Sequence, residues 1–294
     1  MSEPRILKKP TTFREQLDIL IDRGMVVEDE TKALTILQRI NYYRFTAYTL
    51  TFKKDDKFFS DTTFDKIYNH YQFDTKFRNL LMEIIEYIEI SFRTQISNLI
   101  AIKYGSLGHE NKDNFRIEQF HTSFMEELQR LIDKSKRELA IAHYRENYEG
   151  QYPIWVVSEI ITFGIISKLY KNMKTADQKN IARTYYLQVD YRDLDNWLEV
   201  LTIVRNRCAH YSRLFNYKMP KIIKYHKDET ADLRNNLIFG IIYNSKFLVT
   251  DRDTWRSWVT KLESLISEYT EVDIRLMGFP EKWHSLLIDQ SRRK

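Results

Sequence analysis

The sequence predicts an all-α fold, and three observations carry that prediction. Only 7 Gly and 5 Pro occur in 294 residues, so sharp turns are few and regular elements are long. Leu, Ile, Lys, Glu and Arg are common while Val is sparse, which favours helix over strand. Apolar residues recur at the helical spacing in several segments. The clearest is the run Leu80, Leu81, Ile84, Ile85, Ile88, Phe92, Ile96 and Leu99. A hydrophobic content of 43% is enough to build a real core.

Each element then follows in order. Pro10-Thr11-Thr12 precedes a helical pattern of Phe13, Leu17, Leu20 and Ile21, and Gly24 ends it. A second helix is expected over Asp29 to Arg39. A third opens at Asn41-Tyr42-Tyr43-Arg44 and runs to about Phe52. Lys53 to Thr62 reads as a charged connector. A long helix starts near Phe64 and stops at Tyr104-Gly105-Ser106-Leu107-Gly108. Glu89 and Arg93 form an i,i+4 pair on it in the favourable order. Phe120 to Tyr144 is predicted as one helix. After a turn over Gly150 to Pro153, Ile154 to Met173 is predicted as a buried helix loosened at Gly164. Lys174 to Leu187 reads as a short helix plus connector, and Asp190 to Ala209 as a full helix. Leu233 to Leu248 and Asp253 to Tyr269 close the fold, and Arg292 to Lys294 is a frayed tail. The expected division is an N-terminal helical segment over 1–60 and a helical domain over 61–294. The sequence leaves open whether the two form one compact unit.

Composition narrows the function. The formal net charge is +5, which suits a nucleic-acid partner without requiring one, because both signs are interspersed. Aromatics reach 14%; they suit stacking on unpaired bases, but filling a helical core is their commoner use. Cys208 is the only cysteine, so neither an intramolecular disulfide nor a cysteine zinc cluster can form. No Gly-rich phosphate loop, His-Glu-x-x-His pattern or nucleophile elbow is present, and Asp55 and Asp56 lack a matching His pair. No metal and no cofactor is expected. Residues 1–12 lack an apolar run, so no secretory leader is expected. The apolar run Ile154 to Tyr170 is interrupted by Ser158, Glu159 and Thr162 and is short for a bilayer. No membrane contact and a cytoplasmic location are expected.

The chemistry-bearing stretch is Arg205-Asn206-Arg207-Cys208-Ala209-His210, at the end of the apolar run Leu194 to Val204. Histidine moves protons near neutral pH, and arginine holds a phosphate and the charge that builds on it. Two other Arg–His spacings, Arg116 to His121 and Arg137 to His143, lack this context. On a helix of 3.6 residues per turn, Leu194, Trp197, Leu198, Leu201, Val204 and Cys208 form one apolar stripe. Arg205 falls inside it, while Asn206 and His210 share another face. An arginine in that position either pairs with a carboxylate, with Glu86, Glu89 and Glu159 as candidates, or faces a second chain or a phosphate. His210 also suits a plain helix C-terminus, where the dipole favours a cation.

Taken in order, several stretches resemble one family. They are Lys9-Pro10-Thr11-Thr12-Phe13 with Arg23-Gly24, Asn41-Tyr42-Tyr43-Arg44, Ile88 to Thr94, Pro153-Ile154-Trp155 with Phe163-Gly164, and Val204 to His210 with Ser212 to Asn216. The chain resembles the Abi-like proteins of bacterial abortive phage infection, of the AbiD and AbiF type, within the HEPN superfamily of helical ribonucleases. The resemblance implies a HEPN-type helical bundle with the added N-terminal segment, and an Arg-x4-His motif to which Arg205, Asn206 and His210 correspond. It also implies a homodimer that brings two motifs to one cleft, and a non-coding RNA or protein antitoxin as partner. The expected reaction is metal-independent cleavage of single-stranded RNA. In it the substrate 2′-OH attacks the adjacent phosphate, His210 serves as base or acid, Arg205 holds the phosphate, and Asn206 orients the group. Arg207, Tyr211 and Arg213 are expected to contact the RNA backbone or a base. The rival from another class is a catalytically silent binding module that senses phage and signals to another effector.

Overall fold

The computed structural model describes residues 7, 9–186, 189–225 and 233–288. Among them the fold is all-α: thirteen α-helices, two 3-10 turns and one minimal two-stranded hairpin. They fall into two compact units. One comprises described residues of Met1–Phe77 with Ser264–Asp273, the other those of Arg78–Glu263 with Ile274–Lys294. No helix is long and apolar enough to cross a membrane among the described residues.

In the first unit, α1 (Phe13–Asp22) begins with a reciprocal cap. Thr12 Oγ1 accepts from the Glu15 amide at 3.2 Å, and the Thr12 amide donates to Glu15 Oε2 at 2.6 Å. Gly24, at φ +92°, ends this segment. Asp29 caps α2 (Glu30–Arg39), and Asn41 caps α3 (Tyr42–Thr46). The third helix stops at Thr46, not near Phe52. The charged connector beyond it is a hairpin, β1 (Lys53–Lys54) against β2 (Lys57–Phe58). Asp55 and Asp56 form its two-residue loop at φ +48° and +62°, the left-handed pair that a tight hairpin needs and that Asp tolerates. Composition alone reads this segment as a connector because two-residue strands are too short for alternation to show. The core holds Leu17, Leu20, Ile36, Phe45 and Phe64, with the last two rings stacked at 4.5 Å.

The long helix α4 (Phe64–Tyr104) spans 41 residues, about 60 Å. Its residues from Arg78 onward belong to the second unit, with α5 (Glu118–Lys134), α6 (Leu139–Asn147), α7 (Ile154–Val157), α8 (Phe163–Asn172), α9 (Thr175–Tyr185), α10 (Tyr191–Ala209), α11 (Ile238–Ser245), most of α12 (Arg252–Glu268) and α13 (Trp283–Ile288). The predicted stripe of α4 is buried from Leu80 to Ile96, and its last place passes from Leu99 to Ile100.

Two predicted helices are broken. The Phe120–Tyr144 segment divides at 135–138, where the Ser135 amide caps α5 and the Glu138 amide turns back to the Ser135 carbonyl. Ser135-Lys136-Arg137 carries no apolar residue to hold a continuous helix on the core. The Ile154–Met173 segment divides at Ser158–Thr162, ahead of Gly164. Thr162 Oγ1 accepts from the Ile165 amide and starts a new helix there. The helix expected over Leu233–Leu248 shortens to Ile238–Ser245, while α13 and the 3-10 turn Ile274–Met277 were not expected. Leu187 and the tail Arg292–Lys294 lie outside the described residues.

Candidate functional site

Helix α10 is fixed at both ends. Asp190 Oδ1 accepts from the Arg192 amide at 2.9 Å and caps the start. Leu194, Trp197, Leu198, Leu201 and Val204 are all buried at 2% exposure or less, and α10 packs on α8, α9 and α11. Trp197 Nε1 donates to the Lys224 carbonyl at 2.6 Å, so the largest ring on the stripe has its polar atom satisfied.

Arg205 leaves the stripe sideways. Its Nε lies 3.7 Å from Glu89 Oε2 on α4, and its side chain is 34% exposed against 12% for Glu89. Glu89 Oε1 accepts from Arg93 Nη2 at 2.8 Å, and the same Nη2 donates to the Ile161 carbonyl at 3.1 Å. One carboxylate thus serves two guanidiniums. It is hydrogen-bonded to Arg93 and only ion-paired to Arg205, whose Nε is buried without a hydrogen bond. Of the three candidate partners, Glu86 and Glu159 are exposed and Glu89 is the one that meets Arg205.

Asn206 and His210 point to solvent from the other face. The helix closes on a Schellman turn: the Tyr211 amide donates to the Cys208 carbonyl at 3.0 Å and the Ser212 amide to the Arg207 carbonyl at 2.8 Å. The left-handed position of that turn normally takes glycine. Here it is Tyr211, at φ +56° and 69% exposed. An aromatic residue there costs about 1–2 kcal/mol of backbone strain. Arg207 points into the turn that follows. Its guanidinium lies 3.4 Å from the centre of the Tyr217 ring, and Nη2 donates to the Arg213 carbonyl at 2.5 Å. Arg213 Nη1 donates to the Phe215 carbonyl at 2.9 Å. Tyr211 therefore stands out beside His210, while Arg207 and Arg213 also brace the turn.

The other two Arg–His spacings are set differently. His121 is buried, with Nε2 2.9 Å from the His109 carbonyl. The ring of His143 packs against Tyr144 and Tyr148. Among the described residues, no group of three or more His, Cys, Asp or Glu is placed to hold a metal ion.

A trough of about 520 Å³ runs over α8 between α5 and α10. Phe120, Phe124, Ile165, Leu169, Thr202 and Ile203 line it, with Glu127, Lys168, Lys171 and Glu199 at its margin. The lysines pair loosely with the glutamates, Lys168 with Glu127 at 3.9 Å and Lys171 with Glu199 at 3.8 Å. Glu199, Ile203, Asn206 and His210 follow one another at helical spacing. The α10 wall of the trough therefore continues into the exposed half of the motif.

A family model described as Abi-like protein matches residues 35–216, more than half of the chain. The chain belongs to the Abi-like protein family. Membership is consistent with a part in abortive infection. No curated protein and no solved structure matches it. The matched span of this Abi-like protein contains Glu89, Arg93, the whole of α10 and the turn as far as Asn216. Sequence reasoning ranked Glu89 with two other acids and gave Arg93 no place near Arg205. The i,i+4 pairing of Glu89 with Arg93 was visible, but which helix faces α10 is a tertiary fact. Tyr217 had no signal at all, since a ring ten residues past Arg207 reaches it only through the Schellman turn.

Proposed function

We propose that this Abi-like protein is a metal-independent endoribonuclease of an abortive-infection or toxin–antitoxin system, of the HEPN type, acting on single-stranded RNA. The observation that carries this reading is the end of α10. There a half-exposed Arg205, tethered to an acid, precedes by five residues a His210 open to solvent. The substrate 2′-oxygen attacks the adjacent phosphorus while a base takes its proton. The 5′-oxygen leaves with a proton from an acid, giving a 2′,3′-cyclic phosphate and a 5′-OH end. His210 fills one proton-transfer role, Arg205 offsets the charge on the phosphate, and Asn206 orients the histidine or the phosphate. Tyr211, held outward by its turn, offers a ring for an unpaired base. The apolar trough, whose α10 wall continues at helical spacing to Asn206 and His210, supports a homodimer with two motifs in one cleft. A non-coding RNA or a protein antitoxin is the proposed neutralising partner.

The deciding experiment incubates purified protein with end-labelled RNA in EDTA, beside His210→Ala and a 2′-deoxy substrate. Cleavage by the wild type alone, on RNA alone, is expected. The second reading is a silent binding module. The ion pair of Arg205 with Glu89 favours it, because it gives the arginine a structural duty that needs no substrate. A wild type that binds RNA without cutting it selects that reading.

A further inference from the structure

We infer that Glu89 is a positioning residue that fixes which edge of Arg205 meets the phosphate, with Arg93 as its anchor; this rests on the nuclease reading above. Glu89 is 12% exposed and Arg93 16%, so the pair forms a nearly buried mount on α4. The 2.8 Å hydrogen bond to Arg93, itself fastened to the Ile161 carbonyl, orients the carboxylate. The second oxygen, Oε2, then lies 3.7 Å from Arg205 Nε. That nitrogen is closed to solvent and has no hydrogen bond, although the side chain as a whole is 34% exposed. Any anion must therefore approach Arg205 through its Nη atoms.

Charge points the same way. One carboxylate faces two guanidiniums, so the cluster keeps one positive charge. Arg93 takes the short hydrogen bond, which leaves Arg205 the less neutralised of the two. An exposed arginine on α10 alone would sample many rotamers. Ion-paired at Nε with a nearly buried acid, it presents a restricted, partly uncompensated edge to a charge that develops in the transition state. The role is distinct from a proton-transfer role: Glu89 touches no substrate and acts only through Arg205.

The test uses full-length protein carrying Glu89→Gln, which keeps the shape and removes the charge, and Glu89→Asp, which keeps the charge on a shorter arm. Cleavage of single-stranded RNA is measured as kcat and KM, and affinity for a 2′-O-methyl RNA of the same sequence is measured separately. Glu89→Gln is expected to lower kcat about 10–100-fold while affinity changes less than about threefold, and Glu89→Asp to recover part of the rate. A second readout needs no catalysis. The Nε–H resonance of Arg205 in ¹⁵N-labelled protein is assigned by its loss in Arg205→Lys. It should be protected from exchange in the wild type and lose that protection in Glu89→Gln. Unchanged kcat, or an Nε–H resonance indifferent to Glu89→Gln, overturns the inference. Should Glu89→Gln fail to fold, a full wild-type rate in a folded Glu89→Asp together with an unprotected wild-type Nε–H also overturns it. A wild type without cleavage overturns the nuclease reading and the catalytic consequence with it, while the resonance still decides whether Glu89 holds Arg205.

Discussion

His210 and Arg205 lie five residues apart but carry different structural duties, so their alanine variants should behave differently. His210 is exposed at the helix end, and its backbone makes the cap bond to the Asn206 carbonyl whatever its side chain. His210→Ala is expected to lose at least about 10²-fold in RNA cleavage with stability within about 0.5 kcal/mol of wild type. Arg205→Ala removes an ion pair as well as the proposed phosphate ligand. Glu89 keeps its hydrogen bond to Arg93, so no acid is left uncompensated and the loss should stay near 1 kcal/mol. Activity assays beside thermal melts separate the two; full cleavage by both variants would place the site elsewhere. Another histidine makes stability depend on pH. His109 is 1% exposed, and burial, helped by nearby His121, pushes its pKa down to about 4. Glu110 Oε1, 4.0 Å from Nε2 and half-exposed, is too distant and too hydrated to reverse this. The unfolded chain binds the proton near pH 6.5, before the folded one does. Stability is therefore full above about pH 6.5 and falls as pH drops toward 4, by up to about 3 kcal/mol from this one group. Denaturant melts at pH 7 and pH 5 should show the loss, and His109→Gln should flatten it. The sequence made Arg205 and His210 legible because residue type and register are local. It could not place His109 beside His121, because that pairing depends on how the loop before α5 folds back on that helix.

At the scale of the element, α10 joins a well-buried stripe to a strained end. Asp190→Ala removes the N-cap and should cost about 1 kcal/mol without altering the chemistry at the far end of the helix. Tyr211→Gly should do the reverse. Glycine accepts φ +56° freely, and after its larger entropy loss on folding the net gain is about 0.5–1 kcal/mol. A strained aromatic kept next to a proposed catalytic histidine suggests a use for the ring, so the same variant should bind single-stranded RNA more weakly. A melting point that does not rise, or RNA affinity that does not fall, would count against the two halves of this argument separately. Periodicity recovered α1, α2, α4, α10 and α12 because each buries a continuous stripe. It missed the breaks at 135–138 and 158–162. Those depend on a polar interval and on a threonine acting as cap, signals that a long apolar pattern on either side drowns out. The Asp55-Asp56 hairpin was missed for the opposite reason, since two-residue strands leave too little pattern to read.

For the whole molecule the decisive question is how a single scissile phosphate obtains both a base and an acid. In-line displacement puts the attacking and leaving oxygens on opposite sides of phosphorus, so one imidazole cannot reach both. Of the histidines in the described residues, His70, His109 and His121 are buried, His143 packs edge-on among tyrosines, His284 lies 3.5 Å from Glu263, and His210 alone sits at the motif. Two-fold symmetry supplies a second copy of every group without further sequence. The α10 face that would have to meet its mate is suited to contact. It runs from the apolar trough at Thr202 and Ile203 to Asn206 and His210, flanked by the pair of Lys168 with Glu127 and by Glu199, whose carboxylate Lys171 and Lys221 share. The expectation is a particle of about twice 35.6 kDa in sedimentation. Ile203→Glu, which sets two like charges into that face, should shift it toward monomer and lower cleavage in parallel. Mixing settles whether the cleft is shared. Wild-type and His210→Ala chains, mixed in equal amounts and refolded together, would assort into about half heterodimers, each holding a single histidine at the common cleft. If base and acid come from the two chains, those heterodimers are inactive and cleavage falls to about a quarter of that of the same amount of wild type, where independent sites would leave about half. A monomer with full activity, or a mixture that keeps about half, would mean that each chain completes its own site and that the second proton-transfer group must be sought within the same protomer.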